Sequence, residues 1–369
     1  MSDIADLYKG TGISKDQLSD EGEPCILYGE LYTKYKSETI EKVISKTNID
    51  NTKLVRSKAN DVIIPCSGET AEDIATARCV LNDNILLGGD LNIIRLHGYD
   101  GTFMSYQLNG KRKYDIAKVA QGVSVVHLYG EHLKGVKTIN PCLEEQKKIA
   151  SLLFLLDERI ATQNKIIEDL KKLKSAIIEI EYTPNTKTTS HIGNVIEQIS
   201  KRNKNNAIQN VLSVSNRQGF IKQSDQFENR NVASEDTSNY KIVEKNDFAF
   251  NPARINVGSI ARLTTFEKGI VSPMYICFRT QENVAPEYID FFFESKHFYC
   301  EIQKRLEGSV RQCLSFEGLC NIPFSLPSLE MQQRIGKRLF TLGQKIKTET
   351  DLLELLNKQK QYLLRQMFI

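Results

Sequence analysis

The sequence predicts an α+β protein with two β-rich globular domains, each followed by a long helix, and with the two helices paired as an antiparallel coiled coil of pseudo-two-fold symmetry. The first observation behind this fold class is an internal repeat. Residues 141–178 align without a gap to residues 327–364, an offset of 186 residues. Identical pairs include Pro141/Pro327, Leu143/Leu329, Glu144/Glu330, Gln146/Gln332 and Ile149/Ile335. A period this long indicates two copies of one large unit, so the single chain has an approximate two-fold symmetry.

The second observation is a change of periodicity that divides each copy into a globular part and a rod. We predict globular domains over residues 1–140 and 183–326, a central helix over 141–182 and a C-terminal helix over 327–369. In the globular domains, short apolar runs alternate with Gly, Asn and Asp turns, which is typical of strands. Predicted strands lie at 24–27, 62–64, 85–87, 91–94, 123–126, 211–214, 248–250, 270–271 and 275–278, with a helical insert at 286–306.

The third observation is an apolar heptad seam along each rod. Seam residues recur at alternating spacings of four and three, which is the pattern of a coiled coil. In the first copy they are Ile149, Leu153, Leu156, Ile160, Gln163, Ile167, Leu170, Lys174 and Ile177. In the second copy they are Ile335, Leu339, Leu342, Ile346, Glu349, Leu353, Leu356, Lys360 and Leu363. We expect Leu152, Ile166, Leu173 and Ile178 to widen the first seam.

Polar residues in the two seams suggest a register for the pair. If Lys174 faces Glu349 in an antiparallel arrangement, Gln163 must face Lys360. The same register stacks Ile160 on Leu363, Ile167 on Leu356, Leu170 on Leu353 and Ile177 on Ile346. A parallel pair would set Lys174 against Lys360, a like-charge contact that disfavours it. The alternative is that these polar residues lie at a solvated edge and specify no register.

Composition excludes several classes of protein. A net charge of +3 with 26% charged and 40% hydrophobic residues describes an ordinary globular chain, without the basic excess of a non-specific nucleic-acid coat protein. No run of 18 apolar residues is present, and the start of the chain lacks a signal-peptide pattern, so we expect a cytoplasmic protein with no membrane partner. The eight cysteines show no C-x-x-C spacing and are expected to be reduced thiols.

The sequence also lacks the motifs of common enzymes. It contains no phosphate-binding P-loop and no dinucleotide-binding glycine motif. Asn140-Pro141 and Asn251-Pro252 resemble the start of the Asn-Pro-Pro-aromatic motif of amino-methyltransferases, but the second proline and the aromatic residue are missing. His127 and His132 are five residues apart, which does not fit a zinc site on one helix face. We therefore expect no catalytic residue, no metal site and no cofactor bound by this chain itself.

Basic and amide side chains beside turns are the candidates for contact with DNA, because such groups bind phosphates and base edges. Each loop taken alone is equally typical of a solvated surface, and their recurrence in both copies favours a function. The candidates are Tyr32, Lys34, Lys36, Lys111, Arg112 and Lys113 in the first domain, and Lys201, Arg202, Lys204, Asn216, Arg217, Arg254 and Asn256 in the second.

Read together, these segments resemble the specificity subunit of a type I restriction–modification system. In that family a target recognition domain is followed by a conserved helix, twice over. The helix opens with a motif similar to Pro-x-Leu-x-x-Gln-x-x-Ile, which occurs here at 141–149 and again at 327–335. Segments 86–90, 156–160, 269–275 and 308–311 are also similar to family patterns, and the last of these adds Arg311 to the DNA-binding candidates. The chain departs from the family at its start, where Asp3 already lies at the domain boundary, and in containing no Trp.

The resemblance implies a non-catalytic subunit that binds double-stranded DNA. Each recognition domain would read one half of a split, asymmetric target, and the helices would act as a spacer that fixes the gap. Two modification subunits would dock on the chain, bring S-adenosylmethionine and methylate adenine. Two motor–nuclease restriction subunits, which use ATP and Mg, would complete the complex. The competing interpretation is a coiled-coil adaptor whose β-rich domains bind proteins; a stand-alone enzyme is disfavoured by the missing motifs.

Overall fold

The computed structural model describes residues 1–50, 52–122, 125–183, 190–216, 218–226, 236–309 and 311–368. The chain divides into two compact units, the first comprising Met1–Lys165 with Thr350–Ile369 and the second Ile166–Glu349. Each unit contains one globular part and a portion of each long helix. This is the predicted α+β architecture.

The globular part of the first unit contains eleven described strands and five short helices. The strands are β1 Ala5–Lys9, β2 Leu18–Ser19, β3 Glu23–Ile26, β4 Thr39–Ile40, β5 Ser45–Thr47, β6 Asp61–Pro65, β7 Ser67–Gly68, β8 Arg78–Val80, β9 Leu86–Leu87, β10 Leu91–Leu96 and β11 Val126–His127. The helices are α1 Glu30–Thr33, α2 Ala71–Ile74, α3 Gly101–Asn109, α4 Lys113–Val119 and α5 Gly130–Lys134. The strands form a five-stranded sheet ordered β1-β10-β6-β8-β4, a four-stranded sheet ordered β2-β5-β3-β9 and the pair β11-β7.

The central strand β6 shows why the first unit is layered. Its residues are apolar on both faces, which is the pattern of a strand that is buried on both sides. Val62 and Ile64 pack in one core with Met104 of α3 and Ile116 of α4. Ile63 points the other way, into a core shared with residues of the second sheet. The five-stranded sheet is therefore sandwiched between helices and the smaller sheet.

The globular part of the second unit has the same layers. Its strands are β12 Ser190–His191, β13 Ile196–Ile199, β14 Val211–Ser215, β15 Gly219–Lys222, β16 Lys241–Glu244, β17 Phe248–Phe250, β18 Ile260–Arg262, β19 Lys268–Val271, β20 Ile276–Thr280 and β21 Pro323–Phe324. Its short helices are α7 Gln223–Gln226, α8 Pro286–Phe292, α9 Lys296–Gln303 and α10 Phe316–Cys320. Four-stranded sheets β13-β20-β17-β18 and β15-β14-β19-β16 replace the two main sheets of the first unit. Phe248 and Phe250 face the helices, and Ala249 between them faces the second sheet.

The sequence identified most central strands but missed helices of the first unit. The strands predicted at 24–27, 62–64, 85–87, 91–94, 211–214, 248–250, 270–271 and 275–278 are confirmed within one or two residues, whereas part of the strand predicted at 123–126 lies outside the described residues. The insert at 286–306 is two helices, α8 and α9. Helices α3 and α4 occupy the corresponding place in the first unit, where we predicted only a β-rich region. Their signal is weak because α3 is buried almost all round and shows no polar face.

Two long helices, α6 Leu143–Tyr182 and α11 Leu329–Gln366, account for the predicted rods. Every predicted seam residue is buried or partly buried in both helices. In the first unit, Ala150 and Leu153 of α6 share a core with Phe368, and Asp157 pairs with Lys360. The numbering rises along α6 while it falls along α11, so the helices run antiparallel there. The expectation that Leu152, Ile166 and Leu173 widen the seam is wrong, since they are 50%, 38% and 50% exposed; Ile178 is buried.

The polar register predicted for the seams is also wrong. Lys174 forms its ion pair with Glu294 of the globular part, at 2.6 Å, and not with Glu349. Lys360 binds Asp157 at 2.6 Å and Glu38 at 2.7 Å, and not Gln163. A lysine side chain is long enough to leave the seam, and a carboxylate held by the globular part accepts it there. Across the described residues, no helix combines the length and hydropathy that crossing a bilayer requires.

The internal repeat extends into the geometry of the globular parts. Asn60 and Asn246 both have positive φ, and the aspartate that follows each accepts a backbone N–H from three residues earlier. Asp61 and Asp247 each also bind an arginine, Arg95 and Arg279 respectively. These turns are equivalent at the offset of 186 residues, as are Gly122 and Gly308, which both have positive φ.

The glutamine of the repeated helix motif has the same role in both copies. Gln146 donates to the carbonyl of Pro141 at 2.7 Å and accepts the backbone N–H of Asp100, the N-cap of α3, at 2.9 Å. Gln332 donates to the carbonyl of Pro327 and accepts the N–H of Ala285, the N-cap of α8, with both distances 2.9 Å. Each glutamine is 1% exposed. The motif thus joins the start of a long helix to the start of a short one.

Candidate nucleic-acid interface

A cleft in the second unit brings three of the predicted DNA-binding residues together. Its volume is about 570 Å³. The residues that line it come from the loop between β17 and β18, from the loop before β20 and from the segment after α9. They are Asn251, Ala253, Arg254, Asn256, Met274, Ser309, Arg311 and Gln312.

The loop after β17 is held rigid by its own backbone. The N–H of Arg254 donates to the carbonyl of Asn251 at 3.0 Å, and the Asn251 side chain accepts the N–H of Ala253 at 3.1 Å. Residues Ile255–Val257 form a single 3-10 turn that ends at Gly258, whose φ of +86° is a conformation that favours glycine. Ile255 is buried, so the turn is anchored and Arg254 is left on the surface.

The cleft offers donors and acceptors that no protein group uses. Arg254, Arg311 and Gln312 are exposed, and Asn256 is partly exposed. Among the described residues, no carboxylate lies within ion-pair distance of Arg254 or Arg311. Met274 adds an apolar surface and is 56% exposed. Arginine and amide side chains beside a small apolar group are the set that reads base edges in DNA.

A separate basic groove lies elsewhere in the second unit. It has a volume of about 740 Å³, and its lining includes the predicted residues Lys201, Arg202 and Lys204 together with Lys268. The loop is shaped by Asn203, which is buried and exchanges two hydrogen bonds with the backbone of Ile208 at 3.0 and 3.1 Å. Lys201 and Lys204 remain exposed, whereas Arg202 donates to the side chain of Asn239 at 2.8 Å. A groove of exposed lysines suits contact with phosphates.

Two further candidates of the second unit lie near the cleft loop in sequence or space. Asn216 is exposed, and its Cβ lies beside Gly258. Arg217 lies outside the described residues.

In the first unit, several predicted residues already have partners within the protein. The Tyr32 hydroxyl donates to the carbonyl of Ser67 at 3.0 Å, and burial raises the pKa of Tyr32 well above its usual value. Lys34 binds Glu30 and the Ser45 hydroxyl, both at 2.7 Å. Lys36 is exposed. The aromatic and basic run 28–36 therefore contributes at least two of its side chains to structure.

The basic turn of the first unit lies between α3 and α4. Arg112 is largely buried and pairs with Asp115 at 3.3 Å. Lys111 is exposed and Lys113 is partly exposed. The structure thus leaves the two lysines, and not the arginine, available to an anion.

The first unit carries different residues where the second unit has its cleft. The equivalence is fixed by matching bonds, since Leu128 N donates to Cys66 O and Leu314 N donates to Pro252 O. Likewise, Gln121 pairs with His127 as Glu307 pairs with Cys313. At the offset of 186 residues, Arg254, Asn256, Arg311 and Gln312 correspond to Gly68, Thr70, Val125 and Val126. Val126 pairs directly with Gly68 in the first unit, and the Thr70 hydroxyl caps α2 by accepting from Asp73 N at 3.1 Å.

Sequence reasoning missed Asn251, Met274, Ser309 and Gln312 as cleft residues. Asn251 belongs to a segment that we had singled out, but nothing in its pattern distinguishes the anchoring asparagine from the exposed one. Met274 and Gln312 come from distant parts of the chain. The available signal was the repeat itself, because a helix frame shared at fixed offset with divergent loop residues points to the loops as the variable site.

The titratable groups of the described residues do not form a catalytic or metal centre. No group of three His, Cys, Asp or Glu side chains among them could hold a metal ion. Burial raises the pKa of the Cys79 and Cys277 thiols to about 12, so these side chains are protonated apolar residues of the core. All eight cysteines are free thiols.

The long helix α6 carries a second, exposed apolar stripe. Ile166, Leu173 and Ile180 recur every seven residues and are 38%, 50% and 76% exposed. Lys174 and Ile177 of the seam face the globular part of the second unit instead. A regularly spaced apolar stripe on a helix is typical of a surface that receives another protein.

Together, the repeated globular parts, the antiparallel helices and a cleft lined by arginine and amide side chains define a class of protein that reads nucleic-acid sequence. A family model described as Type I restriction modification DNA specificity domain matches the chain twice, over residues 1–172 and 177–358. The chain therefore belongs to this family, and it is a specificity subunit of a type I restriction–modification system with two DNA specificity domains.

Individual relatives are distant in sequence. The chain is 24% identical over 368 residues to the type I restriction enzyme MjaVIII specificity subunit of Methanocaldococcus jannaschii, with 91% of this chain and 82% of the relative covered. It is 26% identical over 257 residues to the putative MjaX specificity subunit of the same organism, covering 63% of this chain and 56% of that one.

Solved structures share the fold. The S subunit of a type I restriction–modification system from M. genitalium matches with a TM-score of 0.63 at 17% identity, covering 100% of this chain and 94% of that chain. A chain from a structural study of complex assembly and conformational transition in the type I system matches with a TM-score of 0.55 at 14% identity, covering 98% and 94%.

Proposed function

We propose that each unit reads one half of a split, asymmetric DNA target, with residues 1–140 and 183–326 as the two target recognition domains. The observation that carries this proposal is the divergence of the cleft residues on a shared frame. Identical anchoring turns hold Arg254 and Arg311 in one unit and Gly68 and Val125 in the other. Two sites with one geometry and different side chains bind different sequences. In the second unit the cleft would contact base edges, and Lys201, Lys204 and Lys268 would bind phosphates.

The two long helices, 141–182 and 327–369, are proposed to set the length of the unread gap. Helix α6 contains 40 residues and α11 contains 38, so each spans roughly 1.5 Å per residue. A single rigid helix that runs from one globular domain to the next resists bending. The distance between the two half-sites would then follow helix length.

The partners are proposed to be the other subunits of a type I complex. Two modification subunits would dock on this chain and bring S-adenosylmethionine for adenine methylation. Two restriction subunits would supply ATP- and Mg-dependent translocation and cleavage. The stripe Ile166, Leu173 and Ile180 provides an apolar surface for one such contact. The complex would act on DNA in the cytoplasm, and this chain would contribute recognition without catalysis.

The test is selection from a random duplex pool. The full chain, alone and with the modification subunit of its own system, is incubated with the pool, and bound sequences are determined. We expect enrichment of two short defined sequences separated by a fixed undefined gap. No enriched sequence under either condition would contradict the proposal and would favour a protein-binding adaptor.

The spacer role has its own test. Four residues inserted after Lys165 of α6 and four after Asp351 of α11 lengthen each helix by about 6 Å and nearly preserve the helix face. Because DNA rises about 3.4 Å per base pair, the preferred gap should grow by one or two base pairs while both half-sequences stay the same. An unchanged gap in a variant that still modifies DNA would contradict the spacer role.

A further inference from the structure

Nearly all arginines of the globular parts are engaged within the protein. Outside the long helices, eight described arginines donate to a carboxylate, an amide oxygen or a backbone carbonyl. They are Arg56, Arg78, Arg95, Arg112, Arg202, Arg262, Arg279 and Arg305. Over the part of the globular domains that the structure describes, Arg254 and Arg311 are the two arginines whose guanidinium groups bind no protein group. Both line the cleft of the second unit.

A free guanidinium in a cleft selects for a particular ligand. Its N–H donors form a fixed planar fork, which fits two adjacent acceptors. In the major groove of DNA, guanine offers such a pair at O6 and N7. Asn256 and Gln312 beside the arginines offer the amide geometry that pairs with adenine, and Met274 offers an apolar contact to a thymine methyl group. Phosphate binding is provided separately by the lysines of the basic groove.

Resting on the proposed function, we infer that Arg254 and Arg311 each read a guanine in the half-site of the second unit. The first unit reads its half-site at the equivalent positions without a cationic side chain. Gly68 and Val125 stand where Arg254 and Arg311 stand, and Val125 is 52% exposed. The two half-sites of this protein therefore differ in base chemistry at these positions. An arginine placed at position 125 should add a guanine requirement to the first half-site.

The experiment is the same selection from a random duplex pool, using the full chain with the modification subunit of its own system. The variants are Arg254→Gln, Arg311→Gln, Val125→Arg and, as the matched control, Arg202→Gln. Arg254→Gln and Arg311→Gln should each weaken the preference for guanine at one position by roughly 10- to 100-fold and leave the other half-site unchanged. Val125→Arg should raise the preference for guanine at one position of the first half-site. Arg202→Gln should weaken binding evenly across sequences.

Each outcome decides between the roles. The unchanged half-site within the same molecule shows that a variant is folded. If Arg254→Gln and Arg311→Gln weaken binding evenly, as Arg202→Gln does, the two arginines bind phosphate and the inference is wrong. Loss of both half-sites would mark them as structural and would also overturn it. A Val125→Arg variant with an unaltered first half-site would refute the equivalence of the two sites. Absence of any split target for the unaltered chain would instead refute the proposed function.

Discussion

The two units hold their long helices with the same backbone plan and different side-chain chemistry. In the first unit, Lys360 lies between Glu38 and Asp157, and the Tyr106 hydroxyl donates to Asp157 at 2.6 Å. In the second unit, the repeat equivalents of Asp157 and Tyr106 are Gly343 and Phe292. Lys174, the equivalent of Lys360, binds Glu294 alone and lies over the ring of Phe291.

The difference separates the positions that carry the frame from those that are free to diverge. Buried groups that satisfy backbone donors, such as Gln146 and Gln332, are the same in both units because an unpaired buried N–H is costly in either. Side chains that pair with one another across an interface can change together, because a polar network and an aromatic cluster fill the same space. The first unit has the network, and the second has rings, including Phe292 packed against Tyr182, Phe298 and Phe324.

The largest expected effect is on the polar network of the first unit. Lys360→Met removes the cation between two carboxylates that are only 8% and 11% exposed, so the free energy of unfolding should fall by about 3 kcal/mol. Lys174→Met is the matched control. Glu294 is 46% exposed and can be solvated, so its loss should be about 1 kcal/mol or less. Urea unfolding of both variants measures the difference, and equal losses would contradict the contrast between the units.

The second prediction tests what the units share. Gln146→Leu and Gln332→Leu each leave a buried helix N-cap N–H without its acceptor, and each should cost about 2–3 kcal/mol. The two losses should be alike because the hydrogen-bond geometry is alike. Urea unfolding of both variants, with Gln333→Leu on the exposed face of α11 as control, measures this. A loss confined to one unit would show that the repeated motif holds only one of the two helices.

A reciprocal exchange sharpens the comparison at one pair of equivalent positions. Tyr106→Phe gives the first unit the residue that the second unit has, and it removes a hydrogen bond to a carboxylate at a cost of about 1–2 kcal/mol. Phe292→Tyr places a hydroxyl among rings at a position that is 1% exposed, and we expect a cost of about 1–3 kcal/mol. Thermal unfolding measures both. If either exchange proves neutral, the two environments are less distinct than their side chains indicate.

The smallest effect concerns the pH dependence of the network. Burial raises the pKa of Glu38 above its ordinary value, and the charge of Lys360 only partly offsets this. The folded protein then holds the Glu38 proton to a higher pH than the unfolded chain, so the associated stabilisation is present in acid and lost as the pH rises through the folded pKa. Glu38→Gln cannot titrate. The stability of the unaltered protein relative to this variant should therefore fall from acid to neutral pH in urea unfolding; a rise would contradict it.

The sequence alone predicted much of the fold because its signals are local or repeated. The seam positions of α6 and α11 recur every three or four residues, and all of them proved to be at least partly buried. The run Phe248–Phe250 was recognised as a strand from its apolar residues between turns, with the bounds that the structure shows. Helix α3 was missed because burial on all sides erased the period that identifies a helix.

The candidate site was predicted only in part. Arg254 and Asn256 were named because Asn, Arg and Pro cluster in one short segment, and Arg311 because its segment resembles a family pattern. Their convergence with Gln312 and Met274 depends on strands and loops that are distant in the chain. Tyr32 and Arg112 had the same composition signal, yet the fold gave them partners in Ser67 and Asp115.

What the sequence determined by itself is the two-fold repeat, the antiparallel pair of long helices and the family to which the chain belongs, because periodicity and motif spacing are properties of neighbouring residues. What only the tertiary structure decided is which charges meet. Lys174 and Lys360 leave the seam for Glu294 and Glu38, and Arg254 and Arg311 remain without a partner at one cleft. The physical reason is that an ion pair forms where two flexible side chains reach one another in space, and spacing along the chain does not specify that distance.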